Sequence, residues 1–179
     1  MNPIHAVFPA LALGGALLAL YRYGKRHYGI DGALALLVSG LLLLSPIQHI
    51  AAIGFLQTAA SDYPAVAASP YWDLYYTFAI FITTLSLAVS IFGGVGLLVS
   101  KRRSAVIKAQ IAIWISGPLV TALYLLIAGK VAALYAGIAP DWVSGFLPNL
   151  GIAILASAYL ARSARVKALY SELAPESTD

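Results

Sequence analysis

Apolar residues occur along this chain in long runs that short polar or basic stretches separate. An α-helix rises about 1.5 Å per residue, so about 20 apolar residues cross the roughly 30 Å hydrocarbon core of a bilayer. The longest run, Gly32 to Phe55, reads GALALLVSGLLLLSPIQHIAAIGF and is longer than a helix of a soluble domain needs. The pattern therefore predicts an all-α integral membrane helical bundle.

The runs predict five transmembrane helices in one bundle that covers residues 1–170. The predicted helices cover residues 4–21, 32–56, 74–100, 109–128 and 142–161. Residues 131–139 (VAALYAGIA) lie between the last two, where they either extend the fourth helix or lie flat at the membrane surface. Residues 171–179 form a short acidic stretch that we predict to be a disordered cytoplasmic tail.

The first apolar run is short, so a cleaved signal peptide is a competing interpretation. A signal peptide carries its positive charge before the apolar stretch. Here Arg22, Lys25 and Arg26 follow the run instead. This order favours a retained first helix, and the alternative is four helices preceded by an N-terminal signal-like segment.

The basic residues predict the orientation of the bundle. With five crossings, all of the 11 Lys and Arg residues except Lys130 fall on the side of the C-terminus. Loops rich in Lys and Arg stay in the cytoplasm. The N-terminus is therefore predicted outside and the C-terminus inside, where Arg162, Arg165 and Lys167 form a cytoplasmic basic motif.

Composition supports a lipid environment and excludes several kinds of chemistry. The chain is 61% hydrophobic and 10% charged, whereas about a quarter of a soluble domain is charged. The net charge of +4 comes from short basic runs between apolar segments, so topology explains it and no nucleic-acid partner is predicted. The chain has no cysteine, which excludes disulfides, thiolate catalysis and cysteine-ligated metal sites.

Small residues in the third predicted helix indicate close packing. Ser86, Ser90 and Gly94 are spaced four apart and share one helix face. Small residues at this spacing let two helices approach closely in lipid, so we interpret the face as a packing seam. A hydroxyl-lined permeation path is the alternative.

Two prolines inside apolar runs predict helix kinks. Pro46 and Pro118 each lack an N–H, and each ring clashes with the preceding turn. Pro46 also leaves the carbonyl of Leu42, four residues back, without its usual donor. We expect that carbonyl to be available to a neighbouring helix.

Four polar residues at membrane depth are candidates for a binding site: His49, Gln48, Asn149 and His5. The favoured interpretation of His49 is a hydrogen bond across the bundle that fixes helix register. A proton- or ligand-handling role is the alternative. Two histidines without further ligands do not make a persuasive metal or haem site, so we predict no metal and no cofactor. Motifs of catalysis are missing, so no catalytic residue and no enzyme activity is predicted.

Several short motifs carry a resemblance to a known family. They are IDG at 30–32, LSP at 44–46, KRR at 101–103 and, most specifically, the closing stretch YLARSARVKALY at 159–170. With these motifs, residues 28–170 resemble the domain of unknown function 2569 family. The resemblance implies a small bacterial inner-membrane protein with four helices, to which the first run adds an anchor helix. It implies no reaction.

Two functions remain open at this stage. One is an accessory or interaction protein whose partners are the lipid bilayer and another membrane protein or a second copy of the chain. The other is a small transporter or channel subunit with a polar site near His49, which the break at Gly117–Pro118 supports. A tightly packed bundle with a paired His49 would favour the first. A wet cavity that reaches His49 from outside would favour the second.

Overall fold

The computed structural model describes residues 4–30, 32–128 and 132–171, and it describes side chains for residues 14–30, 32–127 and 146–171. The described residues form seven helices and no strand, which confirms the all-α class. The helices are α1 Ile4–Tyr28, α2 Gly32–Asp62, α3 Pro64–Ala67, α4 Trp72–Val99, α5 (residues 103–128), α6 Ala132–Arg162 and α7 Ala164–Leu169.

Three helices are long and apolar enough to cross a membrane: Gly32–Asp62, Trp72–Val99 and Arg103–Ile127. A shorter apolar stretch, Phe146–Arg162, lies in α6. Only 28% to 39% of the most apolar part of each long helix is buried inside the bundle. The remaining apolar side chains point outward, as with Leu36 and Leu126, which are 73% and 71% exposed. These are the surfaces of a helical membrane protein, whose outer solvent is hydrocarbon.

Both prolines that predict kinks lie beside or within a π-helical turn. In α2 this turn covers Gly40–Leu44, and the N–H of Ser45 donates to the carbonyl of Gly40, five residues back. In α5 it covers Ile115–Leu119 and contains Pro118. A π turn inside an α-helix changes the hydrogen-bond register and is one of the known causes of a helix kink.

The helices extend beyond their predicted polar ends. The end predicted for α2 at residue 56 is wrong, because the helix continues to Asp62 and stops at Tyr63, whose φ of −131° and ψ of 73° are non-helical. Pro64 restricts the residue before it to such conformations. Helix α1 continues past residue 21 to Tyr28, and Gly29 ends it with a φ of +68°. Hydropathy marks where a helix leaves the apolar layer, not where its backbone bonds stop.

The same correction applies to the starts of α5 and α6. Helix α5 begins at Arg103 rather than at residue 109, since Arg and Lys are good helix formers. Helix α6 begins at Ala132, ten residues before the predicted start. Residues 132–139 are therefore the first turns of α6, and both alternatives for the stretch 131–139 stay predictions. Residue 131 and the predicted tail at 172–179 lie outside the described residues.

Helix α4 is central in the described bundle, where it packs against α2 on one side and α5 on the other, while α6 packs against α5. Helices α4 and α5 approach closely at Gly93, where an added Cβ would lie 2.5 Å from the Cβ of Ala112. The buried apolar residues form two clusters. One contains Ile30, Leu34, Leu97, Leu160, Val166 and Tyr170, and the other contains Leu56, Trp72, Tyr75, Ala79 and Tyr124.

Candidate functional site

The small-residue face of α4 lies against α2. Ser86 and Ser90 are completely buried. The Ser90 hydroxyl donates to the carbonyl of Leu41 at 2.8 Å, and an added Cβ at Gly94 would lie 2.6 Å from Cγ of Leu42. Ser86 instead donates to the Ile82 carbonyl of its own helix at 2.7 Å. This face is occupied within the chain, so it does not offer a docking surface to another protein.

The carbonyl that receives the bond across α2 and α4 is one residue away from the predicted one. We expected the carbonyl of Leu42, four residues before Pro46, but Ser90 contacts that of Leu41. The π turn at Gly40–Leu44 explains the difference, because π-helical bonds join residues five apart. The residue five before Pro46 is Leu41, so the missing proline N–H leaves this carbonyl to Ser90.

His49 is buried, with 7% of its surface exposed, and its hydrogen bonds among the described residues stay within α2. Its Nδ1 lies 2.6 Å from the carbonyl of Ser45 and 3.3 Å from the Ser45 hydroxyl, one turn earlier in the same helix. Because a carbonyl only accepts, this contact requires the proton on Nδ1. Among the described residues, His49 therefore bonds within its own helix, and Ser90 provides the link between α2 and α4.

Gln48 and Asn149 do not converge on His49. Gln48 is exposed on a different side of α2, as expected for adjacent helical residues that differ by about 100°. Asn149 is half-buried on α6, which packs mainly against α5, whereas the part of α2 that carries His49 packs mainly against α4. The His5 side chain lies outside those described. Among the described residues, no group of three or more His, Cys, Asp or Glu residues could hold a metal ion.

Two polar links between helices were missed by the sequence analysis. The Tyr124 hydroxyl of α5 donates to the Ala79 carbonyl of α4 at 2.9 Å and also contacts the Thr83 hydroxyl. The sequence gives little indication of this link, since aromatic and threonine residues are common in apolar helices.

The second missed link joins α5 to α6. Gln110 and Trp114, one turn apart on α5, donate to the carbonyl and the hydroxyl of Ser157 at 3.1 Å and 2.9 Å. Their spacing of four, with two polar donors inside an apolar run, is the pattern that could have indicated a shared partner.

At the basic end of the bundle, Lys101, in the connection between α4 and α5, contacts residues near both ends of the chain. Its ammonium group donates to the carbonyl of Tyr28 at the end of α1. It also lies 5.9 Å and 6.0 Å from the ring centres of Tyr28 and Tyr170, within reach of cation–π attraction. The Tyr170 hydroxyl donates to the carbonyl of Leu97 in α4. We call Tyr28, Leu97, Lys101 and Tyr170 the lysine clasp.

Burial changes the acid–base properties of the clasp. Desolvation lowers the pKa of Lys101, because removing water disfavours its charged form. Burial, together with the nearby Tyr159, raises the pKa of Tyr170, which keeps its hydroxyl protonated as a donor. The clasp therefore depends on a protonated Tyr170.

The basic motif after α6 lies beside a cavity of about 440 Å³. Ser163 is extended and caps α7, accepting from the N–H of Val166 at 3.4 Å, so that α7 turns back onto α5 and α6. Val166 is buried, and Lys167 lines the cavity together with Arg103 of α5. Arg162 and Arg165 are exposed and do not line it. The described residues that line it are Arg103, Val106, Ile107, Gln110, Leu160, Ala161, Val166, Lys167, Tyr170 and Ser171.

The family model described as protein of unknown function (DUF2569) matches residues 27–171. The chain belongs to this family. The resemblance seen in the sequence is confirmed. No curated protein and no solved structure matches the chain.

The DUF2569 region begins and ends at the lysine clasp. Its limits, residues 27 and 171, each lie one residue outside Tyr28 and Tyr170. Lys101 contacts both tyrosines, so the clasp ties the two ends of the DUF2569 region to its centre. Most of α1 precedes the matched region.

Proposed function

We propose that this DUF2569 protein is a non-enzymatic accessory protein of the bacterial inner membrane. In this proposal it crosses the bilayer five times, with the N-terminus outside and the C-terminus in the cytoplasm, and it acts through contacts with other membrane proteins or with a second copy of itself. The unequal distribution of Lys and Arg supports this orientation.

The lengths of α1 and α6 support five crossings. Helix α1 has 25 residues and α6 has 31, so each exceeds the ~20 residues that span the hydrocarbon core. Together with the three long apolar helices, they would complete five spans. Helix α1 would then be the anchor that precedes the family region.

The observation that carries the accessory role is the internal use of the polar groups at membrane depth. Ser90 bonds Leu41, Tyr124 bonds Ala79, and His49 bonds its own helix. The 440 Å³ cavity is lined by none of these residues. A bundle whose polar groups satisfy one another is suited to hold a shape rather than to pass a solute.

The contact surface would be the outward apolar face of the helices. Leu36, Phe81 and Leu155 are 73%, 64% and 72% exposed, and each lies on a different helix. In lipid, helices associate through packing rather than through expulsion of water, so a partner would be another membrane helix.

Site-specific photo-crosslinking in native membranes tests the accessory role. A photoreactive amino acid is placed singly at Leu36, Phe81 or Leu155, which are exposed on three helices. We expect one position to give an adduct of constant mass, identified by mass spectrometry as one membrane protein or a second copy, while the other positions label lipid. Lipid adducts alone at all three positions would contradict the proposal.

A small transporter or channel subunit is the second candidate, and the π turns in α2 and α5 favour it, since such turns are frequent at functional sites. Reconstitution separates the two functions. Vesicles that contain the purified protein are expected to be as tight to protons as protein-free vesicles. A proton flux that His49→Leu abolishes would favour the transporter and contradict the accessory role.

A further inference from the structure

We propose that the cavity between α5, α6 and α7 binds the headgroup of an anionic phospholipid, with its phosphate between Arg103 and Lys167. This inference goes beyond the accessory role and rests on it only for the placement of this end at the cytoplasmic surface. The cavity, about 440 Å³, falls within the ~300–1,000 Å³ range of ligand sites.

The charge of the cavity selects an anion. Arg103 and Lys167 line it from two different helices, and none of the described residues that line it is acidic. An arginine can hold two phosphate oxygens through its planar fork, and a lysine adds a compact positive charge. Both side chains are exposed, so neither is committed to the core of the protein.

The walls of the cavity select a lipid over a free anion. Val106, Leu160 and Val166 form a buried apolar floor, and Ile107 is 51% exposed beside Arg103 on α5. A phospholipid fits these surfaces, because its phosphate would contact the basic residues and its hydrocarbon chains would contact the apolar residues along the helices. Basic pockets between transmembrane helices on the cytoplasmic side are suited to anionic headgroups.

The fold holds the two cations in place. The extended Ser163 reverses the chain after α6, and Val166 and Tyr170, four residues apart on one face of α7, are both buried in the core. Lys167 follows Val166 directly and is thereby held at the rim of the cavity. The Tyr170 hydroxyl is bonded to the Leu97 carbonyl, which fixes the end of α7 against α4.

The test measures lipid binding to the purified full-length protein in detergent, which makes the result independent of orientation in the cell. Phosphatidylglycerol or phosphatidylcholine is titrated, and bound lipid is counted by native mass spectrometry. We expect saturable binding of one phosphatidylglycerol and weak binding of phosphatidylcholine. The double variant Arg103→Gln/Lys167→Gln should bind phosphatidylglycerol about thirtyfold more weakly, since each cation beside a headgroup changes affinity about fivefold.

Lys25→Gln/Arg26→Gln is the matched control, because it removes the same charge from exposed positions at the same end of the bundle, outside the cavity. It should bind phosphatidylglycerol within about twofold of the parent. Equal losses in both double variants, or no loss in Arg103→Gln/Lys167→Gln, would overturn the proposal. If that variant does not fold, the single change Lys167→Gln, at an exposed side chain, replaces it and should bind about fivefold more weakly.

Inorganic phosphate and Ile107→Ser separate a lipid from a free anion. Millimolar phosphate should not displace phosphatidylglycerol, and Ile107→Ser should weaken phosphatidylglycerol binding because it removes apolar contact beside the headgroup. Displacement by phosphate, with Ile107→Ser behaving as the parent, would show that the cavity recognises a small anion and would overturn the lipid as its ligand.

Discussion

At the scale of single residues, the missing side chains of two glycines let α4 approach both of its neighbours. Gly94 meets Leu42 of α2, and Gly93 meets Ala112 of α5. The two contacts differ in kind. The Leu42 side chain can rotate away, whereas the Cβ of Ala112 is fixed to its backbone.

Gly93→Ala is expected to destabilise the bundle by about 1–3 kcal/mol, because overpacking forces α4 and α5 apart. Gly96→Ala is the control, since an added Cβ there meets nothing within 4 Å. Unfolding in detergent, followed by circular dichroism, measures both. The double variant Gly93→Ala/Ala112→Gly should recover most of the loss, and an unchanged Gly93→Ala protein would contradict this packing.

Tyr170 gives the protein a pH dependence at alkaline pH. Burial raises its pKa in the folded state, so above the ordinary value of about 10 the folded protein holds a proton that the unfolded chain has lost. The stability contributed by Tyr170 is therefore complete below pH 10 and decreases as the pH rises toward its raised pKa.

Tyr170→Phe should reduce stability at pH 7 through the lost bond to the Leu97 carbonyl, by about 1 kcal/mol. Between pH 9 and pH 11, its free energy of unfolding should decrease less than that of the parent. Tyr71→Phe is the control, because Tyr71 is 52% exposed. Parallel stability–pH curves for the parent and Tyr170→Phe would show that Tyr170 is not held protonated by the fold.

The residue scale also shows where sequence reasoning stops. A freed carbonyl near Pro46 follows from the chemistry of proline, but the choice of Leu41 over Leu42 depends on a π turn. The hydrogen-bond partner of His49 could not be predicted either. The hydropathy pattern does not show that the Ser45 carbonyl, one turn earlier in the same helix, lies within reach of the imidazole.

At the scale of helices, one hydrogen bond joins α2 to α4 while a similar one does not. Ser90 and Ser86 are both fully buried on the same face of α4. Ser90 donates to Leu41 on α2, whereas Ser86 donates to Ile82 on its own helix. Comparing Ser90 with Ser86 therefore distinguishes the effect of an interhelical bond from that of an intrahelical bond at equal burial.

Ser90→Ala is expected to cost about 0.6 kcal/mol, the average for bonds between helices in membranes, and at most about 1.7 kcal/mol, and to leave the Leu41 carbonyl unpaired. Ser86→Ala should cost less, because the Ile82 carbonyl keeps its place in the helix. Reversible unfolding in mixed micelles ranks the two variants. A Ser86→Ala protein less stable than Ser90→Ala would contradict the assignment of the link.

The spans of the long apolar helices could be predicted because hydrocarbon demands about 20 apolar residues in a row. Their ends could not, since α1 and α2 stop at Gly29 and before Pro64, beyond the apolar layer. The basic cavity was also unpredictable. Arg103 and Lys167 are 64 positions apart in sequence, and the turn at Ser163 brings them together.

At the scale of the whole molecule, the two ends of the bundle differ in design. The cytoplasmic end, as we propose it, holds the lysine clasp, the basic cavity and the exposed Arg162 and Arg165. The opposite end carries an aromatic cluster in which Trp72 lies 5.8 Å and 6.0 Å from the rings of Tyr75 and Tyr76. Aromatic rings favour the membrane interface, so both ends fit the two surfaces of one bilayer.

The absence of cysteine makes the central claim directly measurable by single-cysteine labelling in intact cells. A membrane-impermeant maleimide should label Asn2→Cys, Ala68→Cys and Gly129→Cys from outside, and should label His27→Cys, Ser104→Cys and Ser171→Cys only after the membrane is opened. This result would establish five crossings, a retained first helix and a cytoplasmic C-terminus. Labelling of Ser104→Cys but not Ala68→Cys in intact cells would contradict the account.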